Sequence, residues 1–330
     1  MIRYEDVADP VIAPADVVVK VAACAINRLD LIQRNGHYTL PGYRLPHIAG
    51  MDVAGEVVEV GPEVNSVTVG ARVVVNPSLT GVRGHSRFVG WDDRYGRLGV
   101  IGGTVDGGYA EFCAVPASHV RPIPDGTAYE EAACIPTCFV TAWHALSDTG
   151  ALSAGESVLI HAAGGGVSSA AVQIAKRLGA TVLATARSAA KTEHARRLGA
   201  DHVLCNQDCD VAQWAHDVTA GRGVDMVFDH VGPALWQASL AALKPRGRLI
   251  TCGATTGPEV TLELARVHLM GIRIIGSDSY TYEEFERALN FYWRGAFQQA
   301  IDSIYPLAEA GNAQRRMDSP ELTGKVLLKP

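Results

Sequence analysis

The sequence predicts an α/β protein in which a β-rich part accompanies a doubly wound parallel sheet. The first third of the chain carries short valine-rich runs separated by glycine and proline, which is typical of β-strands. From Ala128 onward, short apolar runs alternate with amphipathic helical stretches, and this alternation is typical of βαβ units. At 330 residues the chain is too long for one comfortable hydrophobic core, so we expect two domains.

The β-rich part is expected to take strands from both ends of the chain. Residues 17–21, 53–60 and 71–75 are the predicted strands near the N-terminus, because their β-branched valines suit a pleated, half-buried surface. The terminal run GKVLL predicts a further strand that returns to this part. The first domain is therefore predicted to be discontinuous, formed by residues 1–122 and 264–330.

The middle of the chain, residues 123–263, is predicted to form the second domain. Its predicted strands are residues 157–161, 181–185, 203–204, 226–229 and 248–252. Its predicted helices are residues 130–147, 167–178, 189–198, 211–219 and 235–243. Such alternation favours a parallel sheet with helices on both faces. One more apolar strand, residues 272–275, follows this domain.

Composition and charge exclude several classes of protein. The formal net charge of −6 argues against a partner such as nucleic acid or an anionic membrane surface. No apolar run approaches the roughly 18 residues that span a bilayer, and the first residues lack the apolar core of a signal peptide. Seven scattered cysteines are expected to be reduced thiols of a cytoplasmic protein. They are Cys24, Cys113, Cys134, Cys138, Cys205, Cys209 and Cys252.

A glycine-rich turn follows the predicted strand VLIH and opens a helix. Gly164, Gly165 and Gly166 allow a tight turn and close backbone approach, and the helix N-terminus then presents amide groups to a pyrophosphate. Val167 and Ser168 complete the motif, with Ser168 where a third glycine is usual. The context of strand, turn and helix predicts a Rossmann dinucleotide site, although an ordinary glycine-rich turn is the alternative.

The end of the next strand favours NADPH as the cofactor. An NAD site usually places an acidic residue there to bind the ribose hydroxyls, but this chain has Ala186. Arg187, Ser188 and Lys191 follow, and two cations with a hydroxyl suit a 2′-phosphate. A solvated basic loop is the alternative interpretation of the same residues.

Several stretches together resemble the medium-chain dehydrogenase/reductase family. They are HIAGMDVAGEVVEVG, DGGYAEF, EEAACIPTCFVTAWHAL, the glycine turn and GKVLLKP. The resemblance implies a GroES-like β domain, a Rossmann domain between its two segments, and a cofactor cleft. It also implies that Thr141 lies near the nicotinamide, and Gly253 and Lys325 are included among the predicted cofactor-binding residues.

The zinc ligands of the family's alcohol dehydrogenases are replaced in this sequence. Asn27 stands at the first cysteine, Met51 at the histidine and Asp52 at the following glutamate, and Thr137 matches the third ligand. Asn, Met and Thr make a poor tetrahedral zinc site. Zinc-bearing relatives also carry four cysteines in a lobe that matches residues 76–107, where this chain has none. We therefore expect no metal.

The loss of zinc favours hydride transfer to a quinone or an activated double bond, as the resemblance to zinc-free quinone oxidoreductases implies. Asn27 is predicted to donate to the reacting carbonyl, and Tyr38 to line the pocket or supply a proton. Asp30 and Asp52 are predicted to orient Asn27. A purely structural role is the alternative for each of these residues.

Three alternatives to this function remain open. One is the reduction of enoyl thioesters on CoA or a carrier protein, another is a zinc-type alcohol dehydrogenase relative, and the third is a non-catalytic NADPH-binding protein. We also expect a homodimer or homotetramer, because residues 272–275 form an apolar edge strand that proteins tend to cover.

Overall fold

The computed structural model describes residues 2–36, 39–40, 42–79, 99–207 and 209–330. The chain divides into two compact units. A β-rich unit comprises Met1–Thr137 with Tyr280–Pro330, and an α/β unit comprises Cys138–Ser279. The predicted combination of a β-rich part with a doubly wound parallel sheet is confirmed.

Strands and helices are numbered along the chain. The strands are β1 (Asp16–Ala25), β2 (Asp52–Val60), β3 (Arg72–Val75), β4 (Phe112–Pro116), β5 (Val120–Pro122), β6 (Ser157–Ile160), β7 (Thr181–Ala186), β8 (His202–Cys205), β9 (Val224–Asp229), β10 (Leu243–Thr251), β11 (Arg273–Gly276), β12 (Ile301–Pro306) and β13 (Lys325–Lys329). The α-helices are α1 (Arg28–Arg34), α2 (Tyr129–Ala133), α3 (Val140–Trp143), α4 (Gly166–Arg177), α5 (Ala189–Arg197), α6 (Val211–Val218), α7 (Pro233–Ala242), α8 (Leu264–Met270), α9 (Tyr282–Arg294) and α10 (Ala310–Asp318).

The sheet of the β-rich unit runs β12-β13-β1-β2-β3-β5, and β4 also pairs with β1. The pairs are antiparallel except β12 with β13. Val17, Val19 and Val21 alternate along β1 into the core, as the period of a half-buried strand requires. The predicted return of the last strand to this unit is confirmed, since β13 pairs with β1.

The sheet of the α/β unit runs β11-β10-β9-β6-β7-β8, and all its pairs are parallel. The chain starts at β6, adds β7 and β8 on one side, and then crosses to β9 and β10 on the other. The adjacent strands β6 and β9 therefore form the topological switch point, where open α/β sheets bind ligands. Strand β11 lies at one edge of this sheet. Self-association of the protein through this edge stays a prediction.

The boundaries of the two units differ from the predicted ones. The prediction ended the first domain at residue 122 and resumed it at residue 264. The structure places the divisions after Thr137 and after Ser279. The second shift has a clear cause: β11 pairs with β10, so its hydrogen bonds tie that segment to the parallel sheet.

The predicted helix 130–147 is interrupted by two wider π-helical turns, at Ile135–Phe139 and His144–Thr149. Such turns are frequent at functional sites. Pro136, within the first of them, has no amide hydrogen to donate to a regular helical ladder. Among the described residues, no helix is long and apolar enough to cross a membrane.

Candidate active site

Strand order in the β-rich unit brings three distant residues together. Asn27 follows β1 and begins α1, Asp52 is the first residue of β2, and Lys325 is the first residue of β13. Because β1 lies between β2 and β13, the ends of all three strands meet, with Ala25 opposite Asp52. The result is a buried polar cluster of Asn27, Asp52 and Lys325, which we call the amide–ion cluster.

Lys325 is the cation of the amide–ion cluster. Its Nζ donates to the carbonyl oxygen of Ile26 at 2.8 Å, to Oδ1 of Asn27 at 2.7 Å and to Oδ2 of Asp52 at 3.3 Å. Three acceptors thus match the three hydrogens of the ammonium. Lys325 is 2% exposed and Asp52 is fully buried, so this ion pair is shielded from water.

Asp52 is held by donors on both carboxylate oxygens. Its Oδ1 accepts from the amide of Thr137 at 2.9 Å and from the Thr137 hydroxyl at 2.5 Å. Its Oδ2 accepts from Nδ2 of Asn27 at 2.9 Å, besides the contact with Lys325. A buried carboxylate with this many donors, one of them charged, has its desolvation cost largely offset. Thr137, which matches the third zinc-ligand position, is thus a hydrogen-bond donor to the Asp52 carboxylate.

Asn27 bridges the two charges of the amide–ion cluster. Its Oδ1 faces the ammonium of Lys325, and its Nδ2 faces the carboxylate of Asp52. Its Nδ2 also contacts the carbonyl oxygen of Ala25 at 3.4 Å, which is long for such a bond. Asn27 is 5% exposed. Lys325, predicted as a cofactor-binding residue, directs its ammonium to Ile26, Asn27 and Asp52 in the structure, and its contact with the cofactor stays a prediction.

Asp30 lies behind Asn27 and interacts with it through the backbone. Its Oδ2 accepts from the Asn27 amide at 2.8 Å and from the Tyr109 hydroxyl at 3.1 Å. Its Oδ1 is buried and has no partner among the described residues. Burial is the largest influence and raises the pKa of Asp30 to about 6, although these two hydrogen bonds and Lys325 oppose the shift.

This shift predicts a pH-dependent stability. The folded pKa of about 6 lies above the reference value of 3.8, so the contribution of Asp30 to stability is complete below pH 3.8 and is lost as pH rises through 6. The loss amounts to about 3 kcal/mol for a shift of this size. Asp30→Asn cannot ionise. The difference in unfolding free energy between the variant and the native protein should therefore change by about that amount between pH 4 and 7.5. Parallel pH profiles from denaturant titrations would contradict the assignment.

Two parts of the predicted site lie outside the described residues. Tyr38, the predicted pocket residue or proton donor, is one of them. Most of the cysteine-free lobe is the other, since residues 80–98 are not described. The roles assigned to these residues stay predictions.

The glycine-rich turn that is predicted to bind phosphate lies between β6 and α4 in the α/β unit. Strand β6 leads into the turn through Ala162, which has a φ of 52°, and Gly165 caps the N-terminus of α4. The first amide groups of a helix have no intrahelical acceptors, so Gly166, Val167 and Ser168 present theirs at this end. With the helix dipole, such an arrangement suits an anion.

The predicted basic loop lies beside this turn. A Cβ built on Gly164 would come within 2.7 Å of both Cγ and Cδ of Lys191, so the stem of that lysine covers the glycine. The amide of Lys191 donates to the hydroxyl of Ser188, which caps α5. Arg187 is exposed at the end of β7. The structure therefore brings Gly164, Ser188 and Lys191 together, with Arg187 next in sequence to Ser188.

Thr141 and Gly253, which are also predicted to bind the cofactor, lie in the α/β unit too. Thr141 is half-buried on α3. Gly253 follows β10, and a Cβ built on it would lie 3.5 Å from the Cβ of His230. His230 was not among the predicted site residues. It directly follows β9, and its Nε2 lies 2.7 Å from Oγ of Ser168. A polar residue at the carboxyl end of a predicted strand was the available signal.

Comparisons with known proteins define the family. Residues 13–125 match the alcohol dehydrogenase GroES-like domain, and residues 166–294 match the zinc-binding dehydrogenase domain. The chain is 33% identical over 330 residues to an alcohol dehydrogenase of Geobacillus stearothermophilus, covering 99% of this chain and 96% of that protein. It is 30% identical over 339 residues to a quinone oxidoreductase of Pseudomonas aeruginosa, covering 100% and 96%.

Solved structures show the same fold over nearly the whole chain. An NAD-dependent alcohol dehydrogenase superposes with a TM-score of 0.92 at 35% identity, covering 99% of this chain and 95% of that one. A mycobacterial protein in complex with NADPH superposes with a TM-score of 0.83 at 29% identity, with the same coverages. The chain belongs to the medium-chain dehydrogenase/reductase family, whose members are oxidoreductases that bind a nicotinamide cofactor.

Proposed function

We propose that the protein is a zinc-independent, NADPH-dependent oxidoreductase that reduces quinones or α,β-unsaturated carbonyl compounds. The observation that carries this proposal is the amide–ion cluster. Asn27, at the position that matches the family's first zinc ligand, is bonded through its side-chain amide to the Lys325 ammonium and to the Asp52 carboxylate. The similarity to a quinone oxidoreductase across the chain supports the same substrate class.

The donor groups of the cluster do not suit zinc. The lone pairs of Asn27 Oδ1 face an ammonium at 2.7 Å, so a metal bound there would lie beside a positive charge. The hydroxyl of Thr137 directs its hydrogen toward Asp52. Lys325 already supplies the positive charge that neutralises this carboxylate. These residues therefore do not fit the metal, and the proposed reaction does not use it.

The absence of zinc is a testable expectation. Protein purified without chelators is expected to contain well under one zinc per chain by elemental analysis, because the three ligand positions hold Asn27, Met51 and Thr137. Dialysis against a chelator should leave the activity unchanged. One zinc per chain, lost together with activity on dialysis, would contradict the proposal.

The amide–ion cluster has the polarity that carbonyl reduction needs. A reduced nicotinamide, when bound, supplies hydride, and negative charge then develops on the substrate carbonyl oxygen. The ammonium of Lys325 withdraws electron density at Asn27 Oδ1, which makes the Nδ2 hydrogens better donors. The Nδ2 group bonds to Asp52 at 2.9 Å and contacts the carbonyl oxygen of Ala25 at 3.4 Å, a long contact that a developing oxyanion would replace. Asn27 is thereby the proposed donor, and Lys325 and Asp52 orient its amide.

The basic loop after β7 supports NADPH rather than NADH. Ala186 leaves no carboxylate to repel a 2′-phosphate, while Arg187 is exposed beside it and Lys191 lies over the glycine turn. The solved mycobacterial relative that binds NADPH agrees with this choice. The NAD-dependent relative shows that the family uses either cofactor, so the choice rests on these residues.

Arg187→Ala is expected to weaken NADPH binding by about 1–3 kcal/mol, the range for one charge-assisted contact, and to leave NADH binding unchanged. Dissociation constants for both cofactors, from fluorescence titration, provide the measurement. Arg196→Ala is the matched control. Arg196 is an exposed arginine on α5, and its ion pair with the exposed Glu193 spans 3.5 Å. Equal native dissociation constants for the two cofactors would contradict the assignment.

A panel assay tests the function itself. The purified protein is mixed with NADPH and, in turn, a small quinone, an enone, crotonyl-CoA and a simple ketone, and NADPH oxidation is followed. Turnover of the quinone or the enone supports the proposal. Preference for the thioester indicates an enoyl-thioester reductase, and preference for the ketone indicates an alcohol dehydrogenase. NADPH binding without turnover of any of them indicates a binding protein.

A further inference from the structure

A buried row of polar side chains crosses the parallel sheet at the carboxyl ends of its central strands. Thr185 lies near the end of β7, His161 directly follows β6, and Asp229 ends β9. The registers of β6 with β7 and with β9 place these three residues at the same level of the sheet, one step beyond the last paired residue of β6. We call them, together with Ser239 of α7, the polar row. All four residues are fully buried.

The hydrogen bonds of the polar row run in a single direction. The hydroxyl of Ser239 donates to Oδ2 of Asp229 at 2.9 Å, so its oxygen accepts from Nε2 of His161 at 3.0 Å. The Nδ1 of the neutral ring is then an acceptor, and the Thr185 hydroxyl donates to it at 2.9 Å. Burial lowers the pKa of His161 below its usual 6.5, although Asp229 opposes the shift, and the ring is therefore uncharged at neutral pH.

The polar row lies between the two groups that the proposed function assigns to NADPH, the glycine turn and the basic loop. The carbonyl oxygen of His161 accepts from the hydroxyl of Ser168 at 2.6 Å, in the first turn of α4. The carbonyl oxygen of Thr185 accepts from the amide of Ala163, just before the glycines, at 2.9 Å. Thr185 is also two residues before Arg187 of the basic loop. The row therefore ties the strand end before the glycine turn to the strand end before the basic loop.

We propose that His161 is a positioning residue that sets the spacing between the glycine turn and the basic loop, so that one dinucleotide can engage both groups at once. This inference rests on the proposed function, because it requires NADPH as the cofactor. A ligand that spans two binding groups gains affinity only while their spacing lets it reach both. Buried polar networks whose members are all satisfied make their surroundings rigid. Since His161 is fully buried, it acts through the strand ends rather than by contact with the ligand.

A similar side-chain contact at the opposite end of the sheet provides a control. Ser157, the first residue of β6, donates through its hydroxyl to Oδ2 of Asp225 on β9 at 2.8 Å. Ligands of open α/β sheets bind at the carboxyl ends of the strands, so this contact lies at the end away from the cofactor. Ser157→Ala thus removes a hydroxyl that ties β6 to a neighbouring strand without disturbing the polar row.

The experiment compares ligands that reach both groups with a ligand that reaches one. Dissociation constants are measured for NADPH and 2′-phospho-ADP-ribose, which span both groups, and for adenosine 2′-monophosphate, which lacks the diphosphate. Thr185→Val keeps the branched shape of the side chain and removes the donor to His161. It should raise the constants of the two spanning ligands by about 10-fold, a small part of the roughly 10²- to 10⁴-fold that linkage contributes, and leave the constant of the monophosphate unchanged. Thr185→Ser keeps the hydroxyl and should retain the native constants.

Two further variants separate positioning from stability. Ser157→Ala should lower the melting temperature and change none of the three constants. His161→Leu removes both ring bonds and should raise the constants of the spanning ligands by more than Thr185→Val does. The two Thr185 variants decide the matter even where His161→Leu does not fold.

Two results overturn the inference in a native protein that prefers NADPH. One is an unchanged NADPH constant in Thr185→Val, and the other is an equal change for all three ligands, which a merely structural role of the polar row would give. Both leave the proposed function standing. Native protein that binds NADPH no more tightly than NADH is a different result, because it contradicts the proposed cofactor and the inference with it.

Discussion

Lys325→Met is expected to lower the free energy of unfolding by about 3–5 kcal/mol, because it leaves the fully buried carboxylate of Asp52 without its cation. Methionine fills much of the space of the lysine stem, so the effect reports the charge rather than a cavity. The substitution also removes the charged donor to Oδ1 of Asn27. Denaturant unfolding followed by circular dichroism provides the measurement.

A double variant separates the ion pair from its surroundings. Replacing both Lys325 by Met and Asp52 by Leu removes both charges, and buried ion pairs replaced by apolar groups are often nearly neutral. The double variant should therefore be more stable than Lys325→Met alone. Lys329→Met is the control on the same strand, because both Lys329 and its partner Glu130 are partly exposed. This variant should lower the free energy of unfolding by less than about 1 kcal/mol. Equal decreases in the free energy of unfolding for Lys325→Met and Lys329→Met would show that the buried ion pair stabilises the protein no more than the exposed one.

The fold was predictable because its signals are local. Each predicted strand of the parallel sheet is a short apolar run, followed by turn residues and an amphipathic helix. The predicted strands 157–161 and 181–185 therefore agree with β6 and β7 within one residue. The glycine turn was equally local, since strand, turn and helix are contiguous. The exposed loop that carries Arg187 was found from its position after β7 alone.

The amide–ion cluster was only partly predictable because it depends on distant pairing. Asn27 and Asp52 were singled out from the motifs around them, but Lys325 lies 298 residues from Asn27. Nothing local to GKVLL reveals that β13 pairs with β1 in the register that brings the lysine ammonium against Ile26 and Asn27. Lys325 was included among the predicted cofactor-binding residues, and its contacts with Ile26, Asn27 and Asp52 could not be foreseen from GKVLL alone.

The domain boundary and His230 were missed for related reasons. An edge strand such as β11 carries the same apolar signal whichever sheet it joins, and only its ladder with β10 assigns it to the α/β unit. His230 follows β9 and is anchored by Ser168, 62 residues earlier. The replacement of a glycine by Ser168 was visible in the sequence, yet its hydroxyl gains meaning only when β6 and β9 lie side by side.

Asn27→Ala is expected to lower turnover on a quinone or enone by about 10- to 1000-fold, near the scale for one lost oxyanion donor, while NADPH affinity changes little. The reason is that the amide is polarised by Lys325, whereas the cofactor phosphates are assigned to the glycine turn of the other unit. Asn76→Ala is the matched control, because Asn76 is also buried in the β-rich unit and its Oδ1 accepts from the amide of Ser78 at 3.1 Å. Both variants should melt at lower temperature, but only Asn27→Ala should lose rate per folded molecule. A full rate in a destabilised, NADPH-saturable Asn27→Ala protein would show that Asn27 only supports the structure around Lys325 and Asp52.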